Sequence, residues 1–450
     1  MLTVKDVVEL SGSQLLQGDL EAIVEFVHFD SRQLEDHALF VALTGGARDG
    51  HQFIDDAIQK GATSVLISQD DPKLRQTHQG VNFIFNEDTR SAFQALAAGY
   101  RRRLSLPVVA VTGSNGKTTT KDMIAHLLSA KFNVYKTYKN FNNDLGVPLS
   151  LLHIKKHHEI AVLELGMNRA GEIDFLARMT RPNISVITNV GDAHIEFFGL
   201  REKIAEAKGE LLPHTDPDGF VILNGDDPLV LSQAPRYSGK VYTYSIKKEA
   251  DIYATNITYS EHGSFFDLHV DGQSVSCFMP MFGEHNISNL LPAAFIAYRS
   301  GINLETLQQT MMSISVSDMR FQTMDGPNGS ILINDAYNAS PTSMKVAIDT
   351  FEHIYPNRKK VVVLGDIFEL GDQSDKLHTE VGEYIKNKPL TVITVGEKSS
   401  LISKAAGGTH VSTHEEAIEA LNPYLTPEHV ILLKASRGMK LEKIIELLLS

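Results

Sequence analysis

The chain has 450 residues, a formal net charge of -13 and one cysteine, Cys277. That length exceeds one ordinary hydrophobic core and predicts two or three domains. The acidic balance gives no sequence-independent grip on a nucleic-acid backbone, and a lone cysteine excludes both an intramolecular disulfide and a thiolate metal cluster within one chain.

Hydrophobic residues at 42% and charged residues at 22% are ordinary for a folded globular protein, so disorder is not expected. The opening stretch "MLTVKDVVELSG" carries charges inside its apolar pattern and lacks the long apolar core of a signal peptide. With no apolar run long enough to span a bilayer, the expected location is the cytoplasm, without membrane insertion.

Residues 1–99 alternate the strand candidates "VEFVHF", "ALFVAL" and "ATSVLIS" with a helix near 51–60, a small α/β unit. Arg101, Arg102 and Arg103 form a short basic run that reads as a solvated helix end. Over residues 100–315, apolar runs at 108–111, 160–163, 184–187 and 220–223 each empty into a polar loop, the pattern of buried parallel strands. "FFDLHVDGQSVSCFMP" alternates in two registers about Asp271-Gly272, predicting a hairpin laid against that sheet with Cys277 as a packed small hydrophobe. Residues 316–450 form a third α/β segment with strands at 330–334, 360–364, 391–395 and 429–433.

The chemistry begins at "VVAVTGSNGKTTT", residues 108–120. A buried strand runs into Gly113, Ser114, Asn115 and Gly116. Beyond Lys117 and Thr118, the positions Met123, Ile124, Leu127 and Leu128 recur with helical spacing. Backbone N–H groups at such a turn converge on an anion, so the loop is read as a phosphate site. Lys117 would meet the outer phosphates and Thr118 would ligate Mg²⁺. The usual loop has a further glycine where this chain has Val111, which points to a relative with a shortened loop. Glu164 at the end of "IAVLEL", His194 in "TNVGDAHIEFFG" and Lys208 in "IAEAKGEL" lie where sheet enzymes place chemistry, past strand carboxyl ends. Glu164 and His194, taken with the phosphate loop, suggest metal coordination.

Together these strings resemble the ATP-dependent Mur ligases of peptidoglycan synthesis, over nearly the whole chain. "TGSNGKTTT" is similar to their phosphate loop, "GEHNISNLLPAA" to the segment facing adenine, and "MRF" with "INDAYNASPTSM" to the entry of their third domain. "NVGDAHIEFFG", "DAYNASP" and "VLGDIFELG" resemble in particular the member that adds D-alanyl-D-alanine to UDP-N-acetylmuramoyl-tripeptide. The resemblance implies a three-domain α/β fold: a small N-terminal α/β domain (1–99) for the UDP-sugar, a central P-loop-type, mostly parallel sheet (100–315) for ATP, and a Rossmann-like C-terminal α/β domain (316–450). The last would complete the ATP site and bind the dipeptide.

It implies that ATP is held by Gly113, Ser114, Asn115, Gly116, Lys117, Thr118, Thr119, Asn286, Asn289, Arg320 and Asp335. Mg²⁺, two ions in all, would be held by Thr118, Glu164, His194 and Lys208, the last as a carbamylated lysine. Lys117, Lys208, Arg320 and His194 would be the catalytic groups, and Ser31, Arg32, Thr44, Asp335 and Asn338 would bind substrate. Asn286 could instead cap its helix. The partners implied are the nucleotide-sugar tripeptide and D-alanyl-D-alanine, the enzyme acting as a monomer. Another ligase of the fold, one adding the third peptide residue or folylpolyglutamate synthase, is the nearest alternative. A site supplied by three domains further implies closure when ATP and the sugar nucleotide bind.

Overall fold

The computed structural model describes residues 2–45, 49–260, 262–315 and 319–450. Among them the strands form three main sheets and one short two-stranded pairing. Residues 316–318, where the third segment was expected to begin, lie outside the described residues.

The first sheet runs in the order Gln14–Gln17, Asn82–Phe85, Ala62–Ile67, Ala38–Val41, Phe26–His28 and is parallel apart from its first pair. Two of its strands, Gln14–Gln17 and Asn82–Phe85, are not among the sequence expectations. Both are four residues long, and the first has no fully buried position to give it a pattern. The helix expected near 51–60 is a short turn, Gly50–Phe53, leading into Ile54–Gln59.

The helix Thr89–Arg103 leaves this unit, capped by the Asp88 carboxylate on the N–H groups of Arg90 and Ser91. Its last turn corrects one expectation. Arg101 is 7% exposed, donating through Nε to the Thr180 carbonyl at 2.7 Å and through Nη2 to that of Arg181 at 3.0 Å. The planar guanidinium fits the unpaired carbonyls ending the helix Glu172–Thr180. It therefore joins the first unit to the second rather than standing in solvent.

The central sheet has nine strands among the described residues. From Val134–Lys136 through Ile160–Glu164, Val108–Thr112, Ile184–Ile187, Phe220–Asn224 and Lys240–Ser245 to Ile252–Ser260 the pairing is parallel. The hairpin Gly263–Val270 and Gln273–Met279 follows in antiparallel pairing. It extends the sheet edge instead of lying against it, because Ile252–Ser260 offers a free row of backbone groups that only another strand can satisfy. On one face the helices Lys117–Leu128 and Glu284–Arg299 pack together, with Met123, Ile124, Leu127 and Leu128 all at 0–1% exposure. The helix that opens at the phosphate loop is thereby anchored in the core.

The third sheet runs Gln322–Asp325, Ile331–Asn334, His429–Lys434, Lys359–Gly365, Leu390–Val395, Thr409–Val411 and is parallel after its first strand. Carboxyl ends of the central and third sheets open onto the same cavity, since Glu164, Asp335 and Lys434 all line it. No helix among the described residues is long and apolar enough to cross a membrane.

Cys277 is 3% exposed, and burial pushes its thiol up to about 12. Iodoacetamide at mildly alkaline pH should therefore leave the folded protein unmodified and add one adduct per chain in guanidinium chloride, read by intact mass. Full modification without denaturant would contradict this packing.

Candidate active site

Every residue of the strand Val108–Thr112 is buried, and the chain turns at Gly113, whose φ is +153°. A Cβ there would come within 1.8 Å of Thr188 Oγ1, so only glycine lets the loop pass. Gly116 (φ +79°) precedes the helix Lys117–Leu128, which has no side-chain cap. Its first N–H groups are therefore free to bind an anion. The loop is pinned from behind: Thr188 Oγ1 and Asn189 Nδ2 both donate to the Asn115 carbonyl, at 2.6 and 2.9 Å. Ser114 Oγ is buried with no partner, a polar atom that a phosphate oxygen would satisfy. Lys117 Nζ folds onto the Gly113 carbonyl at 2.8 Å. Burial holds its ammonium below the usual range against the pull of the Glu164 carboxylate. Val111, in place of the expected glycine, is an ordinary buried strand residue.

Glu164 ends the strand beside this loop and is 1% exposed. One carboxylate oxygen accepts from Thr118 Oγ1 at 2.8 Å and the other from Asn142 Nδ2 at 2.7 Å. Both donors are neutral. A buried carboxylate whose hydrogen-bond donors among the described residues are neutral, beside a threonine hydroxyl, fits a hard divalent cation. Arg320 reaches in from the third domain, its Nη2 donating to Thr118 Oγ1 at 3.0 Å while its guanidinium stacks 4.1 Å from the Tyr337 ring. Among the described residues no three His, Cys, Asp or Glu side chains form a metal cage.

His194 begins the short helix Ile195–Phe198 at φ +66°, and its Nδ1 lies 2.7 Å from Glu369 Oε2 of the third domain. The distance suits an ion pair, but the direction is not that of a hydrogen bond, and Nδ1 is otherwise unpartnered. Lys208, on the helix Arg201–Gly209, is 2% exposed. Burial, then the neighbouring Lys117 charge, hold its amine well below the usual ammonium range. Asp335 accepts from Lys434 Nζ at 2.7 Å and from the Phe321 N–H at 3.1 Å, and Lys434 also donates to the Asn338 carbonyl at 3.0 Å.

A cavity of about 690 Å³ gathers Ser114 through Thr119, Glu164, His194, Asn286, Asn289, Arg320, Asp335 and Asn338. Gly113 forms the bend behind it, and Lys208 is not part of its wall. Asn286 does not cap its helix: Gly283 occupies that position, and the Asn286 amide donates to the Phe282 carbonyl at 2.8 Å. The first-domain residues Ser31, Arg32 and Thr44 also lie outside the cavity. Ser31 is buried, Thr44 is exposed, and Arg32 pairs with Asp30 at 2.7 Å, holding that carboxyl down at about 2. Residues 46–48 of the neighbouring "TGGARDGHQF" loop lie outside the described residues.

Sequence reading passed over Asn142, Glu369 and Lys434. Asn142 sits in an asparagine-rich stretch, "NFNND", that could have been flagged, and Glu369 stands inside "VLGDIFELG". Lys434 merely ends an apolar run, and only its pairing with Asp335 marks it.

Three regions of the chain match family models: residues 23–101 the catalytic domain of the Mur ligase family, 111–297 the Mur ligase middle domain, and 319–437 the Mur ligase glutamate ligase domain. The UDP-N-acetylmuramoyl-tripeptide--D-alanyl-D-alanine ligase of Bacillus subtilis (strain 168) is 38% identical, covering 99% of this chain and 97% of the relative. A crystal structure of MurF from Acinetobacter baumannii superposes with a TM-score of 0.91 at 30% identity, covering 99% of this chain and 98% of the other. The MurF ligase of Thermotoga maritima in complex with ADP gives 0.83 at 27% identity over 94% and 96%.

A Cβ on Gly116 would stand 2.3 Å from Asn289 Oδ1. Gly116→Ala should fold normally by circular dichroism yet bind ATP about tenfold or more weakly by calorimetry, a loss of about 1.4 kcal/mol or more. Unchanged affinity would detach this loop from phosphate binding.

Proposed function

The chain belongs to the Mur ligase family, and on that premise we propose that it joins D-alanyl-D-alanine to UDP-N-acetylmuramoyl-tripeptide at the expense of ATP. The observation that carries this reading is the convergence of Lys117, the Thr118–Glu164 pair and the third-domain Arg320 on one cavity. A carboxylate is a poor electrophile, and an amine takes its proton sooner than it forms an amide. Transfer of a phosphoryl group to the peptide carboxylate gives an acyl phosphate with a good leaving group. The dipeptide amine then attacks the acyl carbon: a C–N bond forms, the acyl C–O bond breaks with its electron pair leaving on phosphate, and the nitrogen gives up a proton to solvent.

The first step brings two anions together. Unit charges 4 Å apart repel by roughly 4 kcal/mol at an effective dielectric near 20, about a thousandfold in rate if nothing offsets it. Lys117 and Arg320 supply cations from two domains at that point. Ser114 and the free N–H groups of the loop orient the phosphates. Asn289 and Asn286 line the side expected to receive adenine, and Asp335, held by Lys434, would meet the ribose. Ser31, Arg32 and Thr44 would bind the nucleotide sugar from the first domain.

Thr118, Glu164 and His194 would hold Mg²⁺, which when bound neutralises triphosphate charge. Lys208 fits a carbamate: among the described residues no carboxylate holds it charged, and a neutral amine adds CO₂, forming an N–C bond and losing a proton to solvent. The anion that results would face a second Mg²⁺. Monomeric state and cytoplasmic location belong to the same proposal.

Two measurements test it. Incubated with ATP and Mg²⁺, the protein should give the tripeptide–dipeptide product by mass, and no product from the muramoyl dipeptide with a diamino acid; the reverse would make it the ligase of the preceding residue. Lys208→Ala should lower turnover by about two orders of magnitude, with partial recovery on adding a short-chain carboxylate. Wild-type turnover in the unrescued variant would remove the carbamate role.

A further inference from the structure

We propose that Glu369 is a positioning residue: from the third domain it fixes the ring of His194 in the central domain, so that this imidazole is aimed only when the two domains are seated together. The role rests on the ligase reading only where it concerns turnover; the contact itself is independent of it.

The inference starts from the contact itself and the backbone that carries it. His194 and Glu369 lie in separate domains, yet their side chains meet at 2.7 Å. Both are non-glycine residues in left-handed backbone, with φ of +66° and +61°. Neither is the asparagine or glycine that adopts this conformation cheaply, so each stores strain where the two domains touch. Glu369 is half-exposed, and a half-solvated ion pair returns too little stability to account for two such residues.

The backbone on both sides is fitted to the contact. The Glu196 N–H donates to the Glu369 carbonyl at 3.4 Å. Gly371, at φ +52°, lies so close that a Cβ on it would stand 3.1 Å from the Glu196 side chain. Nearby, Thr342 of the third domain donates to the Asp192 carboxylate. The loop bearing His194 is thus gripped from the third domain at Asp192, His194 and Glu196.

The chemistry follows from the two ring nitrogens. A carboxylate that accepts the Nδ1 proton holds the ring in one orientation and leaves Nε2 with a free lone pair for a metal. At present Nδ1 has the distance but not the direction of that bond. Without Glu369 the imidazole would choose its own tautomer and orientation.

The test uses the full chain labelled with ¹⁵N-histidine, the His194 signals being identified by their loss in His194→Gln. Wild type should show a protonated Nδ1 and a bare Nε2. Glu369→Ala should move both signals towards the opposite tautomer, and Glu369→Gln, whose carbonyl can accept the same bond, should keep the wild-type pattern. Glu369→Asn suits left-handed backbone but is one carbon too short, so it should behave as alanine does and keeps the comparison open should the alanine variant fold poorly.

In turnover, Glu369→Ala should lower kcat by about tenfold or more and raise the Mg²⁺ needed for half-maximal rate by roughly threefold or more, with KM for ATP little changed. Glutamine should restore most of both. Identical His194 signals in wild type and Glu369→Asn, or a glutamine variant as impaired as alanine, would overturn the proposal. If the signals shift as expected while wild type ligates no dipeptide, the ligase reading fails and the positioning role stands.

Discussion

The site depends on a buried carboxylate whose direct hydrogen-bond donors, among the described residues, are neutral. Glu164 ends the strand beside the phosphate loop, and among the described residues its carboxylate accepts from the Thr118 hydroxyl and the Asn142 amide. Burying a charge this way is costly unless something positive arrives. Lys117 and Lys121 of the phosphate-loop helix act on the carboxylate through space, and Arg320 of the third domain reaches the Thr118 hydroxyl that binds it. An arrangement that gathers cations from two domains around one buried carboxylate suits a reaction that must join two anions.

Much of the surrounding structure holds that carboxylate and its loop in register. Lys121, 1% exposed on the phosphate-loop helix, donates to the carbonyls of Thr137 and Lys139 at 2.9 and 3.3 Å. The Glu164 N–H donates to Thr137 Oγ1 at 3.1 Å. The Asn142 carbonyl accepts from the Gly166 N–H at 2.8 Å. These bonds tie the helix, the strand and the asparagine-rich loop into one unit whose parts cannot shift separately. The packing of Met123, Ile124, Leu127 and Leu128 beneath it supplies the rigidity that a preorganised electrostatic site requires.

The third domain contributes in a different manner. Its groups reach the cavity singly, from the ends of separate strands and turns: Arg320 on Thr118, Asp335 with Lys434, Glu369 beside His194. The contacts that cross to the central domain, Arg320 on Thr118 and the half-exposed Glu369 beside His194, are individually weak, so what they add is correct placement rather than stability. Backbone strain at His194 and Glu369 sits where those weak contacts cross the boundary.

The sequence by itself determined the strands that empty into the loop, the loop's anion-binding character, and the hairpin register that buries Cys277. Each is local: alternation, a glycine turn and helical spacing are readable within a dozen residues. The two short first-domain strands escaped because four residues carry too little pattern. Arg101 was misread because its carbonyl partners, at 180 and 181, are remote in sequence. Tertiary structure alone decided that Asn286 bonds the Phe282 carbonyl rather than capping, and that Lys434 holds Asp335. It also decided that Glu369 meets His194. These are pairings between residues far apart in the chain or choices among equivalent acceptors, and only the folded geometry selects among them.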